Sequence, residues 1–196
     1  MEQNLYMMKS DIKTKRRRVR PLQLLYRLFV YVILRILDGR TNFYMRLKIF
    51  YLKTLGVKIV GEPLYICADI HLDSSDFSLI TIGNNTVISS EVRILNHDYS
   101  ITKALIYSHN HIDFEVRKLA PVTLEESCFI GMRTLILPGV TVGKNSIIGA
   151  GSVVTHDIPA DVVAAGNPAK VICSLDDYSK KVEQQVKQNS GQYYKS

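Results

Sequence analysis

The chain has 196 residues, 46% of them apolar, with three cysteines and no tryptophan. This supports one ordinary domain with an extension and excludes wholesale disorder; Cys67, Cys128 and Cys173 have neither the pairing of a disulfide scaffold nor the spacing of a structural zinc site and read as reduced, mostly buried thiols. The net charge of +7 is uneven: residues 1–60 hold 14 Lys and Arg against 3 Asp and Glu, a net of +11, while the remainder is at −4, which excludes a globally basic nucleic-acid binder.

Residues 1–20 end in a dense cationic run, Lys13, Lys15, Arg16, Arg17, Arg18 and Arg20. Like charges at that density repel and bury nothing, so a mobile basic tail is expected. Pro21 opens an apolar run that closes at Asp38-Gly39, the punctuation of a helix. Its polar residues Gln23, Arg27, Tyr31 and Arg35 are four apart and form one stripe. A second helix is expected over about residues 42–55, carrying Arg46, Lys48 and Lys53 among large apolar residues and ending at Gly56. Residues 21–56 thus read as an amphipathic helical extension, too short and too charged to span a bilayer. Two readings stand: residues 13–56 lie on an anionic membrane surface, or the helices pack on their own domain or a neighbouring subunit. No nucleic-acid recognition motif accompanies the charge.

From residue 57 to 173 a six-residue period takes over. Val60, Ile66 and Leu72 share it, then Ile82, Ile88 and Ile94, then Leu124, Ile130, Ile136, Val142, Ile148 and Val154. The register slips by four residues between Leu72 and Ile82. Gly83, Gly131, Gly143 and Gly149 follow the aliphatic residue, and a small or branched residue stands four places after it: Thr86, Val92, Cys128, Thr134, Val140, Ser146 and Ser152. Six fits neither the 3.6 period of a helix nor the 2 of a strand. It fits a solenoid in which each unit makes one side of a triangular rung, with glycine and asparagine in the turns. The period breaks at Asn96-His97-Asp98-Tyr99, and a polar excursion over about residues 98–121 is expected to protrude as a loop. It carries His109, His111, Asp113 and Glu115. After residue 173 a tail with Val182 and Val186 is expected to form a short helix that frays from Asn189 to Ser196.

These units resemble the hexapeptide-repeat family, whose fold is an all-β solenoid, the left-handed parallel β-helix. The expected architecture is that coil with an N-terminal helical extension and a protruding loop. The NHDY break, the long excursion and the terminal segment IGAGSVVTHDIPADVVAAGNPAKVI look like the acyltransferase branch. That branch holds the galactoside, maltose and xenobiotic acetyltransferases and the sugar O-acetyltransferases of capsule and lipopolysaccharide pathways. The resemblance implies acetyl-CoA as acyl donor, a sugar or glycan hydroxyl as acceptor, no metal, a homotrimer with sites between adjacent coils, and a cytoplasmic enzyme, with the membrane reading placing it on the cytoplasmic face.

The resemblance also distributes roles. His97 becomes the general base, since an alcohol is a poor nucleophile at neutral pH and an imidazole can accept its proton in the transition state. No serine elbow of the G-x-S-x-G kind is present. Asp73, about one rung away, resembles the acidic residue that binds sugar hydroxyls; Asn96, Tyr99 and Phe129 are placed with it on the acceptor. Asp98 is adjacent to His97, but neighbouring strand side chains diverge. Met132, Gly149, Ala150, Gly151, Ser152, Thr155, His156 and Lys170 are placed along CoA, the small residues beside pantetheine and Lys170 on a phosphate. Against this, Gly-Ala-Gly also suits a tight corner, and Phe129 a loop cap. The alternatives are a nucleotide-sugar N-acetyltransferase, a γ-class carbonic anhydrase using His97, His109 and His111 on zinc, a serine acetyltransferase, and a non-catalytic scaffold or binding protein.

Overall fold

A computed structural model describes residues 42–73, 76–109, 112 and 114–192, with helical backbone also at residues 25, 28–30, 32 and 33. The basic tail over residues 1–20, most of the first expected helix with its Gln23, Arg27, Tyr31 and Arg35 stripe, His111, Asp113 and residues 193–196 lie outside the described residues.

Helix α1 (Asn42–Leu55) leads into the coil. The first rung is β1 (Lys58–Ile59), β2 (Tyr65–Ile66) and β3 (His71–Leu72); the second is β4 (Ile80–Ile82), β5 (Val87–Ile88) and β6 (Arg93–Ile94). The chain then leaves through β7 (His97–Asp98), α2 (Ser100–His109) and β8 (Lys118–Leu119). It resumes with a third rung, β9 (Val122–Leu124), β10 (Phe129–Ile130) and β11 (Leu135–Ile136), and a fourth, β12 (Thr141–Val142), β13 (Ile147–Ile148) and β14 (Val153–Val154). A last turn carries β15 (Val162–Gly166), on which β16 (Ala169–Ser174) folds back before α3 (Leu175–Gln188).

Equivalent strands of successive rungs pair in parallel, giving three sheets: β1-β4-β9-β12, then β2-β5-β10-β13-β15, then β3-β6-β11-β14. These are the walls of a left-handed β-helix. Ile66, Ile88, Ile130, Ile148 and Ala164 stack inside the second wall, and Ile94, Ile136 and Val154 inside the third, all with no solvent exposure. Each large aliphatic side chain buried this way contributes about 1.5–3 kcal/mol.

The corners explain the small residue of the repeat. Thr86, Thr134, Ser146 and Ser152 are fully buried, and their hydroxyls donate to carbonyls of the same or the next rung, as from Thr134 Oγ1 to Gly131 (2.7 Å) and Ser146 Oγ to Pro159 (2.7 Å). Cys128 fills the same position, its thiol 3.2 Å from the Gly143 carbonyl and its pKa raised to about 11 by burial. The repeat glycines serve the approach of neighbouring rungs: a Cβ on Gly131 would lie 2.5 Å from the Ala150 nitrogen. Left-handed corner positions fall instead to Asn85, Glu91, Ser127, Arg133, Asn145 and Asp161, and to Gly139 and Gly151.

Backbone N–H groups of each rung donate to carbonyls of the next, as Cys67 to Ile88 and Ser89 to Ile130. First-rung carbonyls therefore face the N-terminal end with no rung to pair them. Helix α1 covers that end. Its residues Tyr44, Lys48, Leu52 and Leu55 recur at helical spacing and are buried. The Tyr44 hydroxyl donates to Ile66 O (2.7 Å) and Lys48 Nζ to Ala68 O (3.2 Å), each bond worth about 1 kcal/mol net. At the other end β16 pairs antiparallel with β15, and Ser152 Oγ accepts from Gly166 N–H at 3.1 Å.

Two expectations, the inward place of Val60 and the plain loop of the excursion, need correction, and the register slip finds its cause. Val60 is exposed; Ile59 pairs with Ile82 and takes the inward position, because the chain spends seven residues, not six, between Ile59 and Ile66. The slip before Ile82 is taken up by a 3-10 turn, Phe77–Leu79, capped by Asp76. The excursion is not simply a loop: β7 and β8 close its base as an antiparallel pair, and α2 forms its outgoing limb. The tail helix is present as α3, capped by Ser174, whose Oγ accepts from Asp177 N–H at 3.0 Å. Among the described residues no helix is long and apolar enough to cross a membrane.

Candidate functional site

The edge between the third and first walls is where the chain leaves the coil. Leu95 N–H still donates to Ile136, keeping register, and Asn96 then turns inward and is fully buried. Asn96 Nδ2 donates to Asp76 O (2.7 Å), while its Oδ1 is a buried acceptor with no hydrogen-bond partner among the described residues. Asp73, 5% exposed, lies one rung away on the same edge. Its Oδ2 accepts from the backbone N–H of both Asn96 and His97 at 3.1 Å and is hydrogen bonded to His97 Nδ1. The His97 side chain is partly buried, 27% exposed.

The excursion supplies the rest of this edge. His97 pairs with Leu119 and Asp98 with Lys118, and Ala120 N–H donates to Asn96 O (3.0 Å). The Tyr99 ring stands edge-on to the imidazole, centroids 5.0 Å apart at 81°. Arg117 donates through Nη1 to the Tyr99 hydroxyl (3.2 Å). The Asp98 carboxyl is engaged by Ser100. It accepts from the Ser100 N–H (2.8 Å) and hydroxyl (2.9 Å), which hold its carboxyl below the usual range and start α2. Thr102 Oγ1 donates to Val116 O and accepts from Val116 N–H, tying α2 to the returning limb.

An ionised carboxylate only accepts hydrogen bonds, so Nδ1 carries the ring proton and Nε2 presents a lone pair. Such an arrangement can serve as a base with a fixed tautomer.

The second group of expected residues lies on a different edge, between the second and third walls. Met132 is half-exposed and Ala150 exposed. Gly151 N–H donates to Met132 O (2.7 Å); its φ of +72° suits a left-handed corner, and a Cβ there would meet nothing within 4 Å. Lys170, exposed on β16, sits opposite Ala165 beyond this edge. Phe129 stands on the outer face of the second wall between Val87 and Ile147, half-exposed. Thr155 and His156 fall on the His97 edge, two rungs on, with Thr155 Oγ1 and His156 Nδ1 2.8 Å apart.

Four placements are corrected. Asp73 was expected on the acceptor's hydroxyls; it is buried and committed to His97 and the backbone. Asn96 was expected there too; it is a buried brace of the edge. Ser152, expected along CoA, is buried with its hydroxyl donating to Gly149 O (2.6 Å) and accepting from Gly166 N–H. Gly149 owes its missing side chain to the next rung, since a Cβ there would come 2.7 Å from the Ala165 Cβ. Arg117 and Asp76 were not foreseen. The available signal was that both ends of the excursion must meet where the coil resumes, which puts residues 117–120 beside residues 96–99. Among the described residues no three His, Cys, Asp or Glu side chains cluster as a metal site, and His111 lies outside them.

The family model described as bacterial transferase hexapeptide (six repeats) matches residues 121–156. Galactoside O-acetyltransferase of Escherichia coli K12 is 38% identical over 121 residues, covering 62% of this chain and 56% of that protein. The Saccharomyces cerevisiae protein YJL218W, whose name assigns it provisionally as an acetyltransferase, is 37% identical over 139 residues, covering 61% of this chain and 71% of its own. A solved structure of galactoside acetyltransferase in complex with coenzyme A superposes with a TM-score of 0.56 at 25% identity, covering 82% of this chain and 84% of that one. A hexapeptide-repeat acetyltransferase of Vibrio cholerae complexed with acetyl coenzyme A shares the fold, with a TM-score of 0.52 at 19% identity over 86% of this chain and 97% of that one. The chain spans about half the length of the first curated relatives it matches.

Proposed function

The chain belongs to the hexapeptide-repeat acetyltransferase family, and from that premise we propose that it transfers an acetyl group from acetyl-CoA to a hydroxyl of a sugar or glycan precursor, with His97 as general base. The observation that carries the reading is the hydrogen bond between His97 Nδ1 and buried Asp73, which would fix the tautomer in which Nε2 is the proton acceptor. Asp73 is a positioning residue: it sets the tautomer, and its charge stabilises the imidazolium that forms.

His97 takes the acceptor's hydroxyl proton as the oxygen bonds to the acetyl carbon. The carbon–sulfur bond breaks, and His97 returns the proton to the departing thiolate, so no enzyme group is acylated. Tyr99, braced by Arg117, would border the acceptor beside the imidazole. Ala150, Gly151 and Met132 would hold the pantetheine arm, and Lys170 a phosphate. These groups sit on two edges of one prism, so a complete site draws on two coils, and a trimer fits that need. Peripheral contact of residues 13–56 with the cytoplasmic face of a membrane belongs to the same reading.

The test is acetyl-CoA turnover across a panel of glycosides and amino sugars, with thiol release and product both measured. The expected result is thiol release that depends on a glycoside hydroxyl, with an alkali-labile ester as product. Transfer to amines alone would favour the nucleotide-sugar N-acetyltransferase, and no transfer to any acceptor a non-catalytic role.

A further inference from the structure

The N-terminal helices present an outward face that the catalytic reading does not use. In α1, Tyr44, Lys48, Leu52 and Leu55 turn to the coil. Phe43, Arg46, Phe50 and Lys53 recur at i, i+3, i+7 and i+10, which places them together on the opposite side of the helix, where all four are exposed. The helical residues before α1 repeat the pattern. Val30 is buried against Tyr44, whereas Leu25, Leu28, Phe29 and Val32, at i, i+3, i+4 and i+7, are exposed. The six large apolar residues of these two faces are 46–65% exposed. Singly exposed apolar side chains are ordinary, but helical stripes of them mark an interaction surface.

We propose that this face docks the protein on an anionic lipid surface, with the phenylalanines and leucines entering the headgroup boundary and Arg46 and Lys53 at the level of the lipid phosphates. Charge complementarity selects the occupant. The face belongs to a segment, residues 1–60, that holds 14 basic and 3 acidic side chains, whereas two copies of this face brought together would repel. A lipid surface satisfies both halves of the pattern at once, the apolar side chains by burial and the cations by attraction. The side chains on the coil-facing side of α1 cap the first rung, so docking leaves that cap intact. This refines the membrane contact of the functional reading to a defined face and lipid charge; it is tested without any enzymatic readout.

The full chain is sedimented with vesicles of phosphatidylcholine alone and of phosphatidylcholine mixed with phosphatidylglycerol, at low and high salt. The expected result is binding to the anionic vesicles, none to the neutral ones, and weakening as salt rises. The double variant Phe29→Ser/Phe50→Ser, which leaves the charge unaltered, is expected to bind the anionic vesicles at least about ten-fold less well, with its thermal unfolding midpoint and oligomeric state unchanged. No binding of the wild type at low salt overturns the proposal. Undiminished binding by the double variant also overturns it, because the attraction would then be charge alone. A changed oligomeric state in the variant, with no vesicle binding by the wild type, assigns the face to a second copy of the chain instead.

Discussion

His97→Ala lowers kcat for acetyl transfer to a glycoside hydroxyl by about 10²- to 10⁴-fold, the range expected when a positioned general base is lost. The substitution removes only the ring. The backbone N–H of His97 still reaches Asp73 Oδ2, and the ladder between β7 and β8 does not depend on the side chain. The KM for acetyl-CoA is expected to change little, because Met132, Ala150 and Gly151, which hold the pantetheine arm in this reading, lie on another edge of the prism. Steady-state thiol release by wild type and variant checks this. A variant retaining near-wild-type kcat would remove His97 from the chemistry.

Asp73→Asn is the second large effect, a loss of about 10²- to 10⁴-fold in kcat at nearly constant KM for acetyl-CoA. The backbone N–H groups of Asn96 and His97 and the ring Nδ1 all meet one atom, Oδ2, so an amide oxygen in that place keeps the shape of the edge. What the substitution removes is the negative charge that stabilises the imidazolium formed as the base takes its proton. Urea unfolding of the variant is expected to stay close to wild type while kcat falls. A merely structural role would reverse that pattern, with stability falling and kcat of the folded fraction preserved.

The coil was legible because its period is incompatible with other elements. Ile88, Ile130 and Ile148 recur at multiples of six and stack as that spacing requires. Where the count is seven, as from Ile59 to Ile66, the same rule chose Val60 and erred, since Gly61 in a left-handed turn resets the register. The position of His97 was legible because it marks the end of the ordered wall, and Asp98, set aside by strand alternation, is engaged by Ser100. Asp73 was not legible as its partner. Its burial depends on how the extra residues before Ile82 fold into the Phe77–Leu79 turn, and no periodicity describes that. Helix α2 was hidden for a related reason. None of its residues is buried, so it lacks the strong apolar stripe by which helices are read, and its anchor is the Thr102–Val116 hydrogen bonds. Ser152 and Gly149 were misassigned because small residues at a corner serve neighbouring rungs and ligands alike, and only the position of Ala165 and Gly166 separates the two.

The claim at the centre is direct transfer, with His97 moving a proton and no enzyme group acylated. One time course tests it: thiol release from acetyl-CoA and ester formation on a glycoside, followed together after rapid mixing, with and without the acceptor. Direct transfer predicts one ester for each thiol at all times and no thiol release when the acceptor is withheld. A burst of thiol equal to the enzyme concentration without acceptor, leaving acetylated protein behind, would contradict it.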